Sequence, residues 1–232
     1  KTEYDRLPLA IRRFTIADTN DSVYADADNV SGDTVVEEVR TVYDDATGLV
    51  LATGTIQRNF DQTGQGALDS NADANVLKWT SANITGRLQV TAMWYDTLDR
   101  LTTTAVYGTN HATSNAADFD RDGLSAPSRS DTVLVTTRVY NDNGTLLSVN
   151  DPKDIQTRYF YDDAHRQTHT ISNYVNGTPS GPTGTDDHVV RYTYSNGLRT
   201  EMWVDLNGDG TKDSDDQVTT YTYGVARSGT TL

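Results

Sequence analysis

Six times along the chain a tyrosine ends a run of alternating residues and is followed at once by residues that turn a backbone. The phrases read YDDATGLVL from Tyr43, YDTLDRLTT from Tyr95, YNDNGTLLS from Tyr140, YDDAHRQTH from Tyr161 and YSNGLRTEM from Tyr194, with a shorter YGVARSG from Tyr223. The anchors stand 52, 45, 21, 33 and 29 residues apart, so a basic period of about 21 residues is stretched by insertions. Each phrase has one physical logic. An aromatic ring closes a strand and packs inward, and the following Asp or Asn accepts turn amides. Gly or another turn residue then reverses the chain, and Arg or another polar residue opens the returning strand. A chain built this way folds as successive antiparallel β-hairpins, because one hairpin is marginal in water and needs neighbours.

The segments between the turns agree with that reading. Thr34–Asp44, Gly48–Phe60, Leu88–Tyr95, Arg100–Tyr107, Val133–Tyr140, Thr145–Val149, Ile155–Tyr161, Arg166–Tyr174, Val189–Tyr194, Leu198–Val204 and Val218–Tyr223 all alternate with a period near two. Only a short piece, Asn71–Trp79, reads as helical. Three regions follow: 1–34, an N-terminal strand and acidic loop continuing an upstream repeat; 35–224, the hairpin region, with insertions at 61–81, 108–131, 175–188 and 205–217; and 225–232, a tail or the start of the next repeat. Several insertions exceed the roughly 12 residues of an ordinary connection, so each needs a reason to be ordered. Metal coordination is the expected reason in the acidic ones.

Charge narrows the partners. With 33 acidic against 19 basic side chains the formal net charge is -14, which repels nucleic acid and anionic membranes, and no Lys/Arg cluster offsets it. No cysteine is present, which excludes disulfides and thiolate metal sites. No apolar run approaches membrane-spanning length.

The chain resembles the YD-repeat, or RHS-repeat, family. The matching residues are Tyr43-Asp44 with Gly48-Leu49, and Tyr95-Asp96 with Arg100-Leu101; relaxed matches are Tyr140-Asn141 with Gly144, Tyr161-Asp162 with Arg166, and Tyr194 with Gly197-Leu198. The resemblance implies an all-β fold, a strip of successive hairpins that coils in this family into a spiral or hollow shell. It further implies a large secreted or surface protein of bacteria, in some members a shell around a toxin. The large acidic insertions depart from the family pattern, and no family core-ending segment followed by a toxin domain is visible.

DLNGDGTKDSDD, Asp205 to Asp216, is the densest run of oxygen ligands. Asp205, Asn207 and Asp209 fall at positions 1, 3 and 5 of a twelve-residue calcium loop, Gly210 at 6, Thr211 at 7 with its carbonyl, Asp213 at 9 and Asp216 at 12. Asp216 is shorter than the glutamate that usually closes such a loop. The segment is similar to a dockerin-type calcium loop, but strand-like flanks replace the helices of a dockerin, and the likeness ends with the twelve residues. A weaker half-loop comprises Asp118, Asp120 and Asp122 with Gly123. Asp69, Asn71, Asp73 and Asn75, and Asp26 with Asp28, read more simply as solvated turns.

Nothing in the sequence points to chemistry. His111, His165, His169 and His188 lack ligand spacing, and neither GxSxG nor a phosphate loop occurs. Trp79, Trp94 and Trp203 offer a carbohydrate platform or, more simply, sheet core. Sequons at Asn20, Asn29, Asn83, Asn143 and Asn176 mark Asn-containing turns. The expectation is a non-catalytic, calcium-stabilised scaffold segment of an extracellular or cell-surface protein, in a fibre, filament or shell. Its expected partners are neighbouring repeats of a larger parent chain or its own copies. The alternatives are an adhesin with a glycan or cell-surface partner, and a toxin-encapsulating shell fragment.

Overall fold

The computed structural model describes residues 1–4, 10–19, 21–23, 29–69, 76–78, 86–109, 118–121, 123–178 and 184–224. The chain divides into two compact units, Lys1–Thr136 and Thr137–Leu232. Its strands are β1 (Thr2–Tyr4), β2 (Ala10–Asp18), β3 (Thr34–Tyr43), β4 (Val50–Arg58), β5 (Val76–Lys78), β6 (Gly86–Tyr95), β7 (Leu101–Gly108), β8 (Asp118–Asp120), β9 (Leu134–Tyr140), β10 (Leu146–Asn150), β11 (Gln156–Tyr161), β12 (Gln167–Ser172), β13 (His188–Ser195), β14 (Leu198–Asp205) and β15 (Gln217–Thr220). The all-β expectation holds. Residues 76–78 of the expected helix form β5 instead, paired with β8 around buried Leu77 and Phe119; Asn71–Asn75 and Trp79 lie outside the described residues. No helix among the described residues is long and apolar enough to cross a membrane.

In the first unit the strands follow chain order, β1-β2-β3-β4-β6-β7, each antiparallel to its neighbour, with β5 and β8 forming a separate two-stranded ribbon. Phe14, Glu38, Ile56 and Leu88 make one cross-strand row, and Arg12, Arg40, Gly54 and Val90 the next on the same face. Leu77 of the ribbon sits directly over Gly54. A Cβ there would come within 2.9 Å of the Leu77 Cδ1 atom, so the glycine makes room for the second layer. Tyr107 and Phe119 meet edge to face at 5.1 Å.

The second unit is one sheet in the order β9-β10-β11-β12-β13-β14-β15. Ser148, Arg158, Ile171, Val189 and Asp205 form a row across five strands, and four of them are buried. The adjacent row on the same face is Phe160, His169, Arg191, Trp203 and Val218. Phe160 and His169 stack at 4.1 Å, and Arg158 and Arg191 lie over Phe160 and Trp203, each at 5.8 Å. Most side chains here are half-buried, since long amphipathic side chains lie along the sheet face.

Sequential antiparallel pairing has a geometric consequence. Alternate connections leave from the same edge of a sheet, so within each unit the tyrosine-headed turns share one edge and the insertions share the opposite one. β1 also ends at a tyrosine, Tyr4, and β2 returns from Ala10; this hairpin escaped the sequence reading.

Candidate functional site

Two turns on the tyrosine-headed edge are built to one plan. The Asp96 carboxylate accepts the Leu98 and Arg100 amides at 2.9 and 3.0 Å and Arg100 Nε at 2.7 Å. Asp162 repeats this with the Ala164 and Arg166 amides, both at 2.9 Å, and Arg166 Nε at 2.7 Å. In both turns the residue before the arginine, Asp99 or His165, takes a φ of 60° and produces a bulge that shifts the register beside the tyrosine. His165 is therefore a turn residue, four positions from His169, which is stacked within the sheet. The Arg100 amide, ahead of the guanidinium, holds the Asp96 carboxyl below the usual carboxylate range; at Asp162 the Arg166 side chain does so first. Asp151–Ile155 uses the same backbone pattern without a preceding tyrosine.

The matched hairpins lie in the second unit. Residues 140–178 match the RHS Repeat family model. The match begins at Tyr140, runs through the Asp151 turn and the Tyr161 turn, and covers β10, β11 and β12. No curated protein matches the chain. Among solved structures, a TcdB2–TccC3 complex is 14% identical with a TM-score of 0.36, covering 85% of this chain and 9% of that one. The Photorhabdus luminescens Tc holotoxin pore with a TccC3 point mutation is 14% identical with a TM-score of 0.35, covering 89% and 9%. The chain thus spans under a tenth of the length of those two proteins.

The insertion edge carries the residues singled out for metal. Asp205 ends β14 and belongs to the buried row, so its carboxylate is enclosed by the sheet as well as by the loop. Its oxygens accept the Gly208 amide at 2.7 Å, the Gly210 amide at 3.1 Å and Arg191 Nε at 2.5 Å. Arg191 pairs across the strands with Trp203, which sets its guanidinium diagonally opposite Asp205. The Arg191 guanidinium also packs on Gly210, where a Cβ would meet it at 3.4 Å. Asn207 donates from Nδ2 to Asp209 at 3.2 Å and to Asp213 at 3.1 Å. Asp216 accepts the Leu206 and Asp213 amides, and Asp209 accepts the Thr211 amide. Asp209, Thr211 and Asp213 are exposed.

The half-loop falls elsewhere. Asp118 and Asp120 lie on β8, paired with Lys78 and Val76 of β5, and Asp122 lies outside the described residues. Among the described residues no group of three or more His, Cys, Asp or Glu stands ready to hold a metal ion.

Buried charge holds residues 68–69 of the 61–81 insertion on the first sheet. Glu38 accepts the Leu68 and Asp69 amides at 2.7 and 3.0 Å and faces Arg12 Nε at 3.2 Å. Arg40 Nη1 holds Asp69 at 2.5 Å, and Arg12 Nη2 donates to the Asp69 carbonyl at 2.7 Å. Asp69, read from the sequence as part of a solvated turn, is buried because this network draws it onto the sheet. Burial pushes the Glu38 carboxyl up against the opposing pull of Arg12. Arg58 binds the Gln62, Gly64 and Val35 carbonyls and pins the same segment.

Asp187 does comparable work in the second unit. Its buried carboxylate accepts the Val175, Asn176 and Gly177 amides at 2.9, 3.1 and 3.0 Å. Burial alone would raise this carboxyl, but the three amides together hold it below the usual range. Arg191, Arg40 and Glu38 are among the residues that sequence reasoning missed, with Arg12 and Asp187. Strand alternation carried the signal, placing Glu38 with Arg40 and Arg191 with Val189 on inward faces.

Proposed function

We propose that this chain is a stretch of wall in a large bacterial RHS-type shell, a non-catalytic segment whose hairpins form part of an enclosing β-strip. The observation that carries the reading is the RHS-repeat match at 140–178, set within hairpins that pair in chain order in each unit. The second unit supports it: a single sheet with mostly half-buried residues is suited to a wall between two environments. The reading favours a toxin-encapsulating shell over a fibre or filament. It places the parent outside the bacterial cell, with neighbouring repeats of the same chain as the first partners. Electron microscopy of the intact parent tests it. A hollow particle with this segment in its wall is the expected image, and a solid globular particle overturns the proposal.

We further propose calcium, or another hard cation, as the ligand of Asp205–Asp216. The support is the ligand sequence itself, the exposed carboxylates of Asp209 and Asp213, and the Gly208 and Gly210 amides that already fold the loop around Asp205. Asn207 Nδ2 would give up its bridge between Asp209 and Asp213, and Thr211 would contribute its carbonyl. Calorimetric titration with calcium should show one site weakened by Asp209→Ala; unchanged heats in that variant would reject the assignment.

A further inference from the structure

The repeat tyrosine does more than close a strand. Tyr95 Oη donates to the Val50 carbonyl at 2.8 Å, and Tyr194 Oη donates to the Gln167 carbonyl at 2.9 Å. The acceptors are equivalent: Val50 opens β4, the returning strand of the preceding tyrosine-headed hairpin, and Gln167 opens β12 in the same sense. Each hydroxyl therefore reaches back one whole hairpin along the turn edge. The chain separation is 45 residues in one case and 27 in the other, so the spatial rule survives insertions that erase the sequence period. Around Tyr194 the preceding turn also reaches forward, with the Arg166 guanidinium 4.9 Å from the ring centre.

Tyr161 occupies the same position at the head of its turn, and the acceptor equivalent to Val50 and Gln167 would be the carbonyl of Leu146, which opens β10. Among the described residues no bond joins these two groups. Between the two turns lies an open cleft of about 370 Å³, lined by Asn141, Asn143 and Thr145 on one side and Tyr161, Asp163 and His165 on the other.

We infer that the tyrosine hydroxyl is a hairpin-to-hairpin staple that fixes the register of successive repeats, and that the seam between the β9–β10 and β11–β12 hairpins, which lacks it, is where the second unit opens first. A ring alone could fill the space; the hydroxyl adds a bond to the carbonyl that opens the returning strand of the preceding hairpin, beside its bulge. The inference concerns register and opening within the sheet and stands whether or not the parent is a shell.

Hydrogen exchange of the intact chain, read by NMR or mass spectrometry, tests it in the variants Tyr95→Phe, Tyr194→Phe and Tyr161→Phe. These keep the ring and remove only the hydroxyl. Loss of a neutral hydrogen bond should speed exchange about fivefold to tenfold at Leu51–Thr53 in Tyr95→Phe and at Thr168–Thr170 in Tyr194→Phe. Tyr161→Phe should leave Leu147–Val149 unchanged, and in the wild type these amides should exchange faster than those at the two stapled seams. Circular dichroism and the denaturant dependence of unfolding separate local opening from general loss of fold. Unchanged exchange in both stapled variants, or an equal acceleration in Tyr161→Phe, overturns the inference.

Discussion

The two units start from the same hairpin and bury it differently. In the first, insertions return to cover the sheet: the β5–β8 ribbon, Leu68 and the Glu38–Arg12–Arg40–Asp69 network lie on the inward face, and fifteen of the eighteen buried hydrophobic side chains of the described residues belong to this unit. In the second, only Ile171, Val189 and Trp203 reach that degree of burial, and arginines laid over aromatic rings take the place of a second layer. The difference teaches that the repeat specifies pairing and turn geometry but leaves each sheet face to be covered by whatever the insertions supply. The longer insertions of the first unit add a second layer, whereas the shorter ones of the second unit leave a single sheet.

The strongest way to break the contrast is to remove a buried charge partner in the first unit. Asp69→Ala leaves Arg40 enclosed without its carboxylate and should cost about 3 to 5 kcal/mol. Chemical denaturation measures the loss, and hydrogen exchange should confine it to residues before Thr136. Next comes the apolar layer. Leu77→Ala should cost about 2 to 5 kcal/mol through the cavity left over Gly54, and Ile171→Ala in the thinner second unit should lie nearer the lower end of that range. A Leu77→Ala loss no greater than that of Ile171→Ala would erase the distinction between layered and single-sheet burial.

Proton linkage sharpens the contrast with opposite signs. Glu38 has a raised carboxyl, so its contribution is full below the unfolded value, near 4.3, and is lost as pH rises through the folded value. Asp187 has a lowered carboxyl, so its contribution is present above the unfolded value, near 3.9, and is lost as pH falls through the folded value. Acidification below about pH 4 should therefore speed amide exchange at Val175–Gly177, and Asp187→Asn should remove that pH dependence. Glu38→Gln should flatten the fall in first-unit stability between weakly acidic and neutral pH. The smallest effects belong to the shared turns: Asp96→Asn and Asp162→Asn should shift thermal midpoints slightly and by similar amounts, because both carboxylates make the same set of bonds in exposed turns.

Much of the hairpin order was legible in the sequence, because a period of two and an Asp-led turn are local properties, set by side-chain alternation and by amides within four residues. The strands from β3 to β15 fall close to their expected positions apart from the short β5 and β8. Those two were missed because three residues carry no periodicity, and their pairing joins positions some 40 residues apart. The pairing of β1 with β2 was missed because β1 is only three residues long. At the acidic loop, the sequence showed which oxygens are available, and the register of β13 on β14 decided which of them Arg191 engages.

By itself the sequence determined an all-β chain of tyrosine-headed hairpins with polar insertions, since those features depend on neighbours along the chain. Only the tertiary structure decided which face is inward, which insertions form a second layer, and which charges are buried together. Those outcomes rest on contacts between strands far apart in sequence, where the sign of a carboxylate's shift depends on whether an arginine, an amide or only the enclosing sheet stands beside it.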